Sequence, residues 1–171
     1  MRVGAGLMKT LLVLRHAKSS WKQPGLADHD RPLNRRGNRD APRVGLLLRR
    51  QALTPDLIVS STAERARATA VQVAEGVVYG SPVELDRQLY LAEPEAIVDV
   101  VRSLGGEASR VLVVGHNPGL QELVARLTGR DEVLPTASLA QIELPIAEWA
   151  ELRTFTRGRL VRLWRPKELD V

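Results

Sequence analysis

The sequence has no cysteine, few aromatic residues and no long hydrophobic run. Three tryptophans, two tyrosines and one phenylalanine are present among 171 residues, so the core must be mainly aliphatic. The absence of cysteine excludes a disulfide framework, a thiolate nucleophile and a cysteine-ligated metal site. The apolar run Leu11–Leu14 stops at Arg15 and is too short for a signal peptide or a membrane span. We therefore expect a cytoplasmic protein without membrane attachment.

The composition is typical of one globular domain with a basic balance. Apolar residues make up 44% of the chain and charged residues 26%. The 25 lysines and arginines exceed the 20 acidic residues and give a net charge of +5, which suits an anionic partner. No basic stretch is interleaved with aromatic residues, so a small anion or a phosphoprotein is favoured over nucleic acid. We expect a disordered N-terminal extension at residues 1–8 and a single domain over residues 9–171.

Apolar runs alternate with helical periodicities along the chain and predict an α/β fold. Four predicted strands each precede a predicted helix, and the strands are Thr10–Leu14, Asp56–Ser60, Pro82–Leu85 and Arg110–Val114. The helices are expected within Asn34–Gln51, over Thr62–Val77 and Glu95–Leu104, and from Asn117 onward. This order predicts three α/β/α layers with a mostly parallel central sheet. Two late strands, Ala137–Leu144 and Arg159–Trp164, predict an antiparallel C-terminal edge because no long helix separates them.

Three helix starts carry local signals. Pro42 predicts that the first regular helix begins near Asp40, since proline fits best in a first turn. Ser61 and Glu64 have the spacing of a capping box. In the fourth helix, Asn117 and the proline after it suit the N-cap and the first helical position.

The candidate site residues follow predicted strand ends. Arg15 and His16 end the first strand, Arg65 lies in the helix start after the second, and His116 follows the fourth. Because the carboxyl ends of parallel strands share one edge, we expect these four side chains to meet there. Guanidinium groups match phosphate, and a histidine can be neutral at cell pH and attack or move protons. The pattern therefore predicts phosphoryl chemistry, whereas His29 is interpreted as a structural histidine.

A long loop separates the first strand from the first helix, and its length indicates a functional role. Its cations form either a positive rim beside the site or an ordinary solvated surface, and both interpretations stay open: Lys18, Lys22, Arg31, Arg35 and Arg36.

Three segments of the chain resemble the signatures of one family. Leu14–Ala17 is similar to the Arg-His-Gly signature of the histidine phosphatase superfamily, also called phosphoglycerate-mutase-like. Arg65–Ala70 resembles its second arginine motif and Gly115–Gly119 its second histidine motif. The small size and further segments are most similar to the SixA-type phosphohistidine phosphatases, namely Arg15–Trp21, Asp30–Asn34 and Leu89–Tyr90. The resemblance extends from about Lys9 to the C terminus.

This resemblance implies a catalytic mechanism and a set of ligands. Unprotonated His16 would attack phosphorus and form a phosphohistidine intermediate that water hydrolyses. Phosphate would be bound by Arg15, Arg65 and His116, together with Ser19 and Asn117. The implied enzyme needs no metal or other cofactor and acts on phosphohistidine in a protein. A small phosphate ester as substrate and a non-catalytic phosphate-binding module remain alternatives, and the oligomeric state is open.

The chain departs from the family pattern at the proton donor. Many members carry an acidic residue after the third strand, where this sequence has Leu91 and Ala92. The other candidates are Asp30, Glu84, Asp86 and Glu93, or no acid at all. Without a strong acid a poor alkoxide leaves slowly, whereas the imidazole of phosphohistidine leaves readily. The departure therefore favours a phosphohistidine substrate.

Overall fold

A computed structural model describes residues 8–169, which form one six-stranded sheet between two helical layers. The predicted N-terminal extension, residues 1–8, lies outside the described residues except for Met8. The strands are β1 (Lys9–Arg15), β2 (Leu57–Ser60), β3 (Glu84–Leu85), β4 (Arg110–Gly115), β5 (Leu139–Leu144) and β6 (Arg159–Trp164). Their order across the sheet is β3-β2-β4-β1-β5-β6. Strands β1 to β4 are parallel, β5 pairs antiparallel with β1, and β6 pairs antiparallel with β5. This arrangement confirms the predicted fold class.

Within residues 8–169, four α-helices cover the two faces of the sheet: α1 (Arg35–Arg50), α2 (Glu64–Val77), α3 (Pro94–Leu104) and α4 (Gly119–Thr128). In β1, Leu12 and Leu14 belong to the core shared with α1 and α2. Leu11 and Val13 belong to the core shared with α3 and α4. A strand buried on both faces needs apolar residues at every position, which explains the continuous apolar run that leads to the site.

The prediction for the start of α1 was wrong. The helix begins at Arg35, where the side chain of Asn34 accepts a hydrogen bond from the Gly37 N–H at 2.9 Å, and Pro42 lies inside it. An interior proline costs about 3 kcal/mol, so tertiary packing must offset that cost. The packing is close: an ideal Cβ on Gly45 would lie 2.6 Å from the Val73 carbonyl oxygen in α2.

Two other predicted helix starts were also wrong. The N-cap of α2 is Ala63, and the predicted capping box is absent because Glu64 instead pairs with Arg67 at 2.7 Å. The Asn117–Pro118 peptide is cis and α4 begins at Gly119, so Asn117 is not its N-cap.

The segment between β1 and α1 folds back on itself. Ser19 and Leu33 form an isolated antiparallel bridge, and the Asn34 N–H donates to the Lys18 carbonyl oxygen at 2.9 Å. Within this loop, residues Asp28–Asp30 form a short 3-10 helix. The loop is therefore ordered by its own backbone hydrogen bonds. Within residues 8–169, none of the helices has the length and apolar character needed to cross a membrane.

Candidate active site

A cleft of about 330 Å³ lies beside the carboxyl ends of β1 and β4. The structure brings together in it all four residues predicted from the strand ends, together with Ser19 and Asn117. The lining residues are Arg15, His16, Lys18, Ser19, Trp21, Asp28, Arg31, Arg65, Leu91, His116, Asn117 and Thr136.

His16 is fixed directly after β1 by hydrogen bonds of its own backbone and ring. Its N–H donates to the Gly115 carbonyl oxygen at 3.0 Å and so continues the ladder between β1 and β4. Its ring Nδ1 lies 2.7 Å from the Ala17 carbonyl oxygen. A carbonyl oxygen can only accept, so Nδ1 carries the proton and Nε2 holds the lone pair. The structure therefore leaves Nε2 of His16 available as a nucleophile.

The environment keeps His16 neutral. Burial, followed by the positive charges of Arg65, Arg15 and Arg31, lowers the pKa of His16 to about 4, although its hydrogen bond to Ala17 raises it. At pH 7 the imidazole is therefore unprotonated, as a histidine nucleophile must be.

His116 lies beside His16, with the ring centroids 5.1 Å apart and the ring planes tilted by 52°. Its Nε2 is 2.8 Å from the hydroxyl oxygen of Ser61, and Tyr90 contacts the ring edge-on. Burial, and then the neighbouring His16 and Arg65, lower the pKa of His116 to about 3. Its Nδ1 is buried without a hydrogen-bond partner among residues 8–169. The Ser61 hydroxyl thus orients His116 and also accepts a hydrogen bond from the Ala63 N–H at 3.2 Å, while the predicted capping box is absent.

In the part of the chain that the structure describes, three guanidinium groups line the cleft. Arg15 donates from Nη1 to the Leu134 carbonyl oxygen at 3.0 Å, while its Nε is buried without a partner among the described residues. Arg65, in the first turn of α2, is 4% exposed. Arg31 donates to the Ser19 hydroxyl and is buried as well. The sequence left open whether Arg31 belongs to a positive rim or to a solvated surface, and the structure places it buried in the lining of the cleft.

Asp28 is a cleft residue that the sequence analysis missed. Its carboxylate accepts hydrogen bonds from Arg65 and Arg31, each at 3.0 Å, and from the Tyr90 hydroxyl at 2.5 Å. The hydrogen bond from Tyr90, followed by those two arginines, lowers the pKa of Asp28, although partial burial raises it. The group is ionised at neutral pH, so it acts as an acceptor. In the sequence, only its spacing three residues before Arg31 could have indicated this role.

None of the acids proposed from the sequence lines the cleft. Asp30 has an exposed side chain 3.6 Å from His29, and Asp86 caps a short 3-10 helix through the Gln88 N–H. Glu84 and Glu93 lie outside the cleft as well. Leu91 lines it, half-exposed and with a φ of +51° that is unusual for a non-glycine residue.

Three further residues predicted or weighed in the sequence have clear positions. Ser19 accepts a hydrogen bond from Arg31. Asn117 donates from Nδ2 to the Leu134 carbonyl oxygen at 2.9 Å and accepts from the Gln121 N–H at 3.2 Å. His29 lies outside the cleft, 2.8 Å from the Thr62 hydroxyl.

Comparisons with known proteins identify a family and relatives of this chain. The model of the histidine phosphatase superfamily (branch 1) matches residues 11–90. An uncharacterised protein from Mycobacterium tuberculosis is 33% identical over 150 residues, which is 81% of this chain and 91% of the relative.

Solved structures share the fold over nearly the whole chain. A protein from Agrobacterium tumefaciens, assigned as the phosphohistidine phosphatase SixA, is 29% identical with a TM-score of 0.79, covering 92% of this chain and 98% of its own. The protein histidine phosphatase SixA in complex with tungstate is 21% identical with a TM-score of 0.79, covering 94% and 99%. Mycobacterial glucosyl-3-phosphoglycerate phosphatase is 19% identical with a TM-score of 0.65, covering 90% and 97%.

The tungstate complex and the glucosyl-3-phosphoglycerate phosphatase are below 25% identity and show only a shared fold. The sequence relatives and the family model show common ancestry. The chain therefore belongs to the histidine phosphatase superfamily, with a SixA-like fold, and is a phosphatase.

Proposed function

We propose that this phosphatase removes phosphate from phosphohistidine in proteins, with His16 as the nucleophile. The observation that carries the proposal is the state of His16: its Nδ1–H is held by Ala17, and its Nε2 lone pair is free in a cleft with three guanidinium groups. A simple phosphate-binding module would need the arginines but not an oriented, neutral imidazole.

In the first step, Nε2 of His16 attacks phosphorus in line with the bond to the leaving nitrogen. A P–N bond forms on His16 as the P–N bond of the substrate breaks. The substrate imidazole departs neutral when its second ring nitrogen carries a proton. In the second step, water attacks phosphorus as the P–N bond to Nε2 of His16 breaks, both protons of the water leave on dihydrogen phosphate, and His16 returns to the neutral imidazole.

Charge in the transition state would be stabilised by Arg15, Arg65 and His116. The buried Arg15 Nε and His116 Nδ1 have no partner among residues 8–169, and phosphoryl oxygens would satisfy them. Three guanidinium groups supply the positive charge in this proposal, so it requires no metal ion.

Ser19 and Asn117, proposed from the sequence as phosphate ligands, have another role in this proposal. The Ser19 hydroxyl is engaged by Arg31, and both ends of the Asn117 amide are engaged by backbone groups. We therefore assign both residues to positioning the cleft.

The leaving group supports the choice of substrate. Asp28 is ionised and Leu91 occupies the position where an acid is expected, so neither donates a proton to an alkoxide. The imidazole of phosphohistidine can leave without a strong proton donor in the cleft. A small phosphate ester is the second candidate, because the cleft of about 330 Å³ is of the size that small ligands occupy.

Rapid-quench experiments with phosphate-labelled substrates test the mechanism. We expect a phosphoenzyme that is stable in alkali and labile in acid, and absent in His16→Ala. The matched control is His29→Ala, which changes a histidine outside the cleft. A label on serine or aspartate would overturn the mechanism.

Substrate class is decided by comparing kcat/KM on a phosphohistidine protein with kcat/KM on sugar phosphates, both in the presence of EDTA. Higher values on sugar phosphates would replace the proposed substrate by an ester, and loss of activity in EDTA would contradict metal independence.

A further inference from the structure

A basic groove lies next to the cleft, on the outer side of the loop that follows β1. Among residues 8–169 its lining consists of four cations and one amide, with no acid: Lys22, Asn34, Arg35, Arg36 and Arg39. The catalytic steps above use none of these side chains.

Most of this positive charge is not neutralised. Lys22 and Arg35 make no ion pair with any other residue of the described range 8–169. The buried Asp40 carboxylate serves three guanidinium groups at once, those of Arg36 at 3.7 Å, Arg39 at 3.3 Å and Arg43 at 4.0 Å. One carboxylate cannot balance three guanidinium groups, so this part of α1 keeps a net positive field.

The groove and the cleft are separated by one segment of chain, residues 18–22. Lys18 lines the cleft, and its carbonyl oxygen accepts from Asn34 of the groove at 2.9 Å. The first turn of α1 lies directly on this segment, because an ideal Cβ on Gly37 would be 2.2 Å from the Lys18 carbonyl oxygen. The groove therefore lies within reach of a macromolecule whose phosphoryl group occupies the cleft.

An exposed aromatic side chain belongs to the segment that separates the groove from the cleft, and it lines the cleft. Trp21 is 73% exposed, and the guanidinium carbon of Arg31 lies 3.3 Å from the centroid of its ring. Tryptophan and arginine are the residues most enriched at the centres of protein interfaces. An exposed, stacked tryptophan beside unpaired cations is typical of a protein-binding surface.

We propose that Trp21 and the groove cations form a docking surface for an acidic face of the phosphorylated protein substrate. The identity of this partner as the substrate rests on the proposed function, whereas the surface itself rests on charge and exposure. Nucleic acid fits less well, since Arg31 already covers one face of the Trp21 ring and limits base stacking.

A peptide-binding assay that requires no catalysis tests this docking surface. The probe is a fluorescein-labelled amphipathic helical peptide with a glutamate-rich face and no phosphate, titrated with protein in a fluorescence anisotropy assay. The test variant is Lys22→Glu with Arg35→Glu, because neither side chain has an ion pair within the described residues and because a glutamate at position 35 suits the first turn of α1.

The matched control is Arg49→Glu with Arg157→Glu, which changes the net charge by the same amount. Arg49 lies in the last turn of α1. Arg157 precedes β6, whose first residues lie level with the start of β1, at the end of the sheet away from the cleft. Thermal unfolding confirms that both variants are folded.

At low salt we expect the test variant to weaken peptide binding by roughly tenfold or more, and the control by less than about twofold. Trp21→Ala should also weaken it. Equal effects of the two double variants, or none, would overturn the proposal, as would tight binding of a mixed-sequence oligonucleotide without binding of the peptide. Failure of the proposed function would appear separately, as no turnover of phosphohistidine proteins with peptide binding intact.

Discussion

Asp28 and Arg65 are joined by two hydrogen bonds: Arg65 donates from Nη1 to the carbonyl oxygen of Asp28 at 2.7 Å and from Nη2 to its carboxylate at 3.0 Å. A carboxylate thus lies against a guanidinium group that is proposed to bind phosphate. It holds the arginine in place, and it also competes electrostatically with an incoming anion.

Removal of that negative charge should strengthen anion binding. We expect Asp28→Asn to bind orthophosphate roughly threefold to tenfold more tightly at low ionic strength, because a nearby negative charge is lost. Isothermal titration calorimetry measures this effect. Asp30→Asn is the matched control, since it removes the same charge from an exposed side chain outside the cleft. Weaker binding in Asp28→Asn would show that positioning of Arg65 outweighs the repulsion.

Ser61 should matter for catalysis through His116. Ser61→Ala removes the hydroxyl that lies 2.8 Å from Nε2 of His116, so the ring loses its orienting contact. We expect kcat/KM to fall about 10- to 100-fold, as expected for a misplaced catalytic group. The neighbouring Ser60→Ala is the control: that hydroxyl is also buried, but it donates to the Ser61 carbonyl oxygen. Similar losses in the two variants would indicate a general packing defect.

The two cleft histidines should make stability depend on pH. Their pKa values in the folded protein, about 4 for His16 and about 3 for His116, lie below the ordinary value of 6.5. Between those values and pH 6.5 the unfolded chain binds more protons, so the free energy of unfolding falls as the pH falls through this window.

Urea titrations between pH 7.5 and 4.5 measure this dependence. We expect His16→Asn to reduce the slope by up to about 1.4 kcal/mol per pH unit, which corresponds to the proton that one histidine takes up. An unchanged slope in His16→Asn would contradict the lowered pKa of this residue.

Gly119 at the start of α4 should not tolerate a side chain. An ideal Cβ there would lie 1.8 Å from the Ala92 carbonyl oxygen, next to Leu91 of the cleft. We expect Gly119→Ala to destabilise the fold by about 1–3 kcal/mol or more, because backbone must move to admit the methyl group. Gly80→Ala is the control, since no atom of the part of the chain that the structure describes lies within 4 Å of a Cβ at that position. Equal thermal unfolding temperatures for the two variants would contradict the close contact.

The sheet could be predicted because its signal is local and strong. β1 and β4 are buried on both faces, so their apolar runs could be recognised as strands without any alignment of related sequences. The meeting of His16 and Arg65 followed from topology, since parallel strands share a carboxyl edge. The resemblance to a known family indicated the same four residues.

What could not be predicted depends on contacts between distant segments. Pro42 lies inside α1 because α1 packs closely on α2, a relationship that no local rule contains. Ser61 has a capping-box spacing, yet its hydroxyl lies within hydrogen-bond distance of His116, which is 55 residues away in the sequence. Asp28 looked like an ordinary loop residue because its partners, Arg65 and Tyr90, come from other parts of the chain.

The two halves of the cleft differ in how they are anchored. His16 extends a strand with neighbours on both sides, since its N–H bonds β4 and the Arg15 N–H bonds the Ser138 carbonyl oxygen. Asp28 and Trp21 belong to the loop between β1 and α1, which is ordered by hydrogen bonds within the loop and not by pairing with the sheet. Amide hydrogens at the interior strand exchange only on global opening, whereas those of such a loop exchange through local fluctuations. Hydrogen exchange should therefore be slower at His16 than at Trp21 and Asp28, so the imidazole side of the cleft should be the more rigid of its two walls.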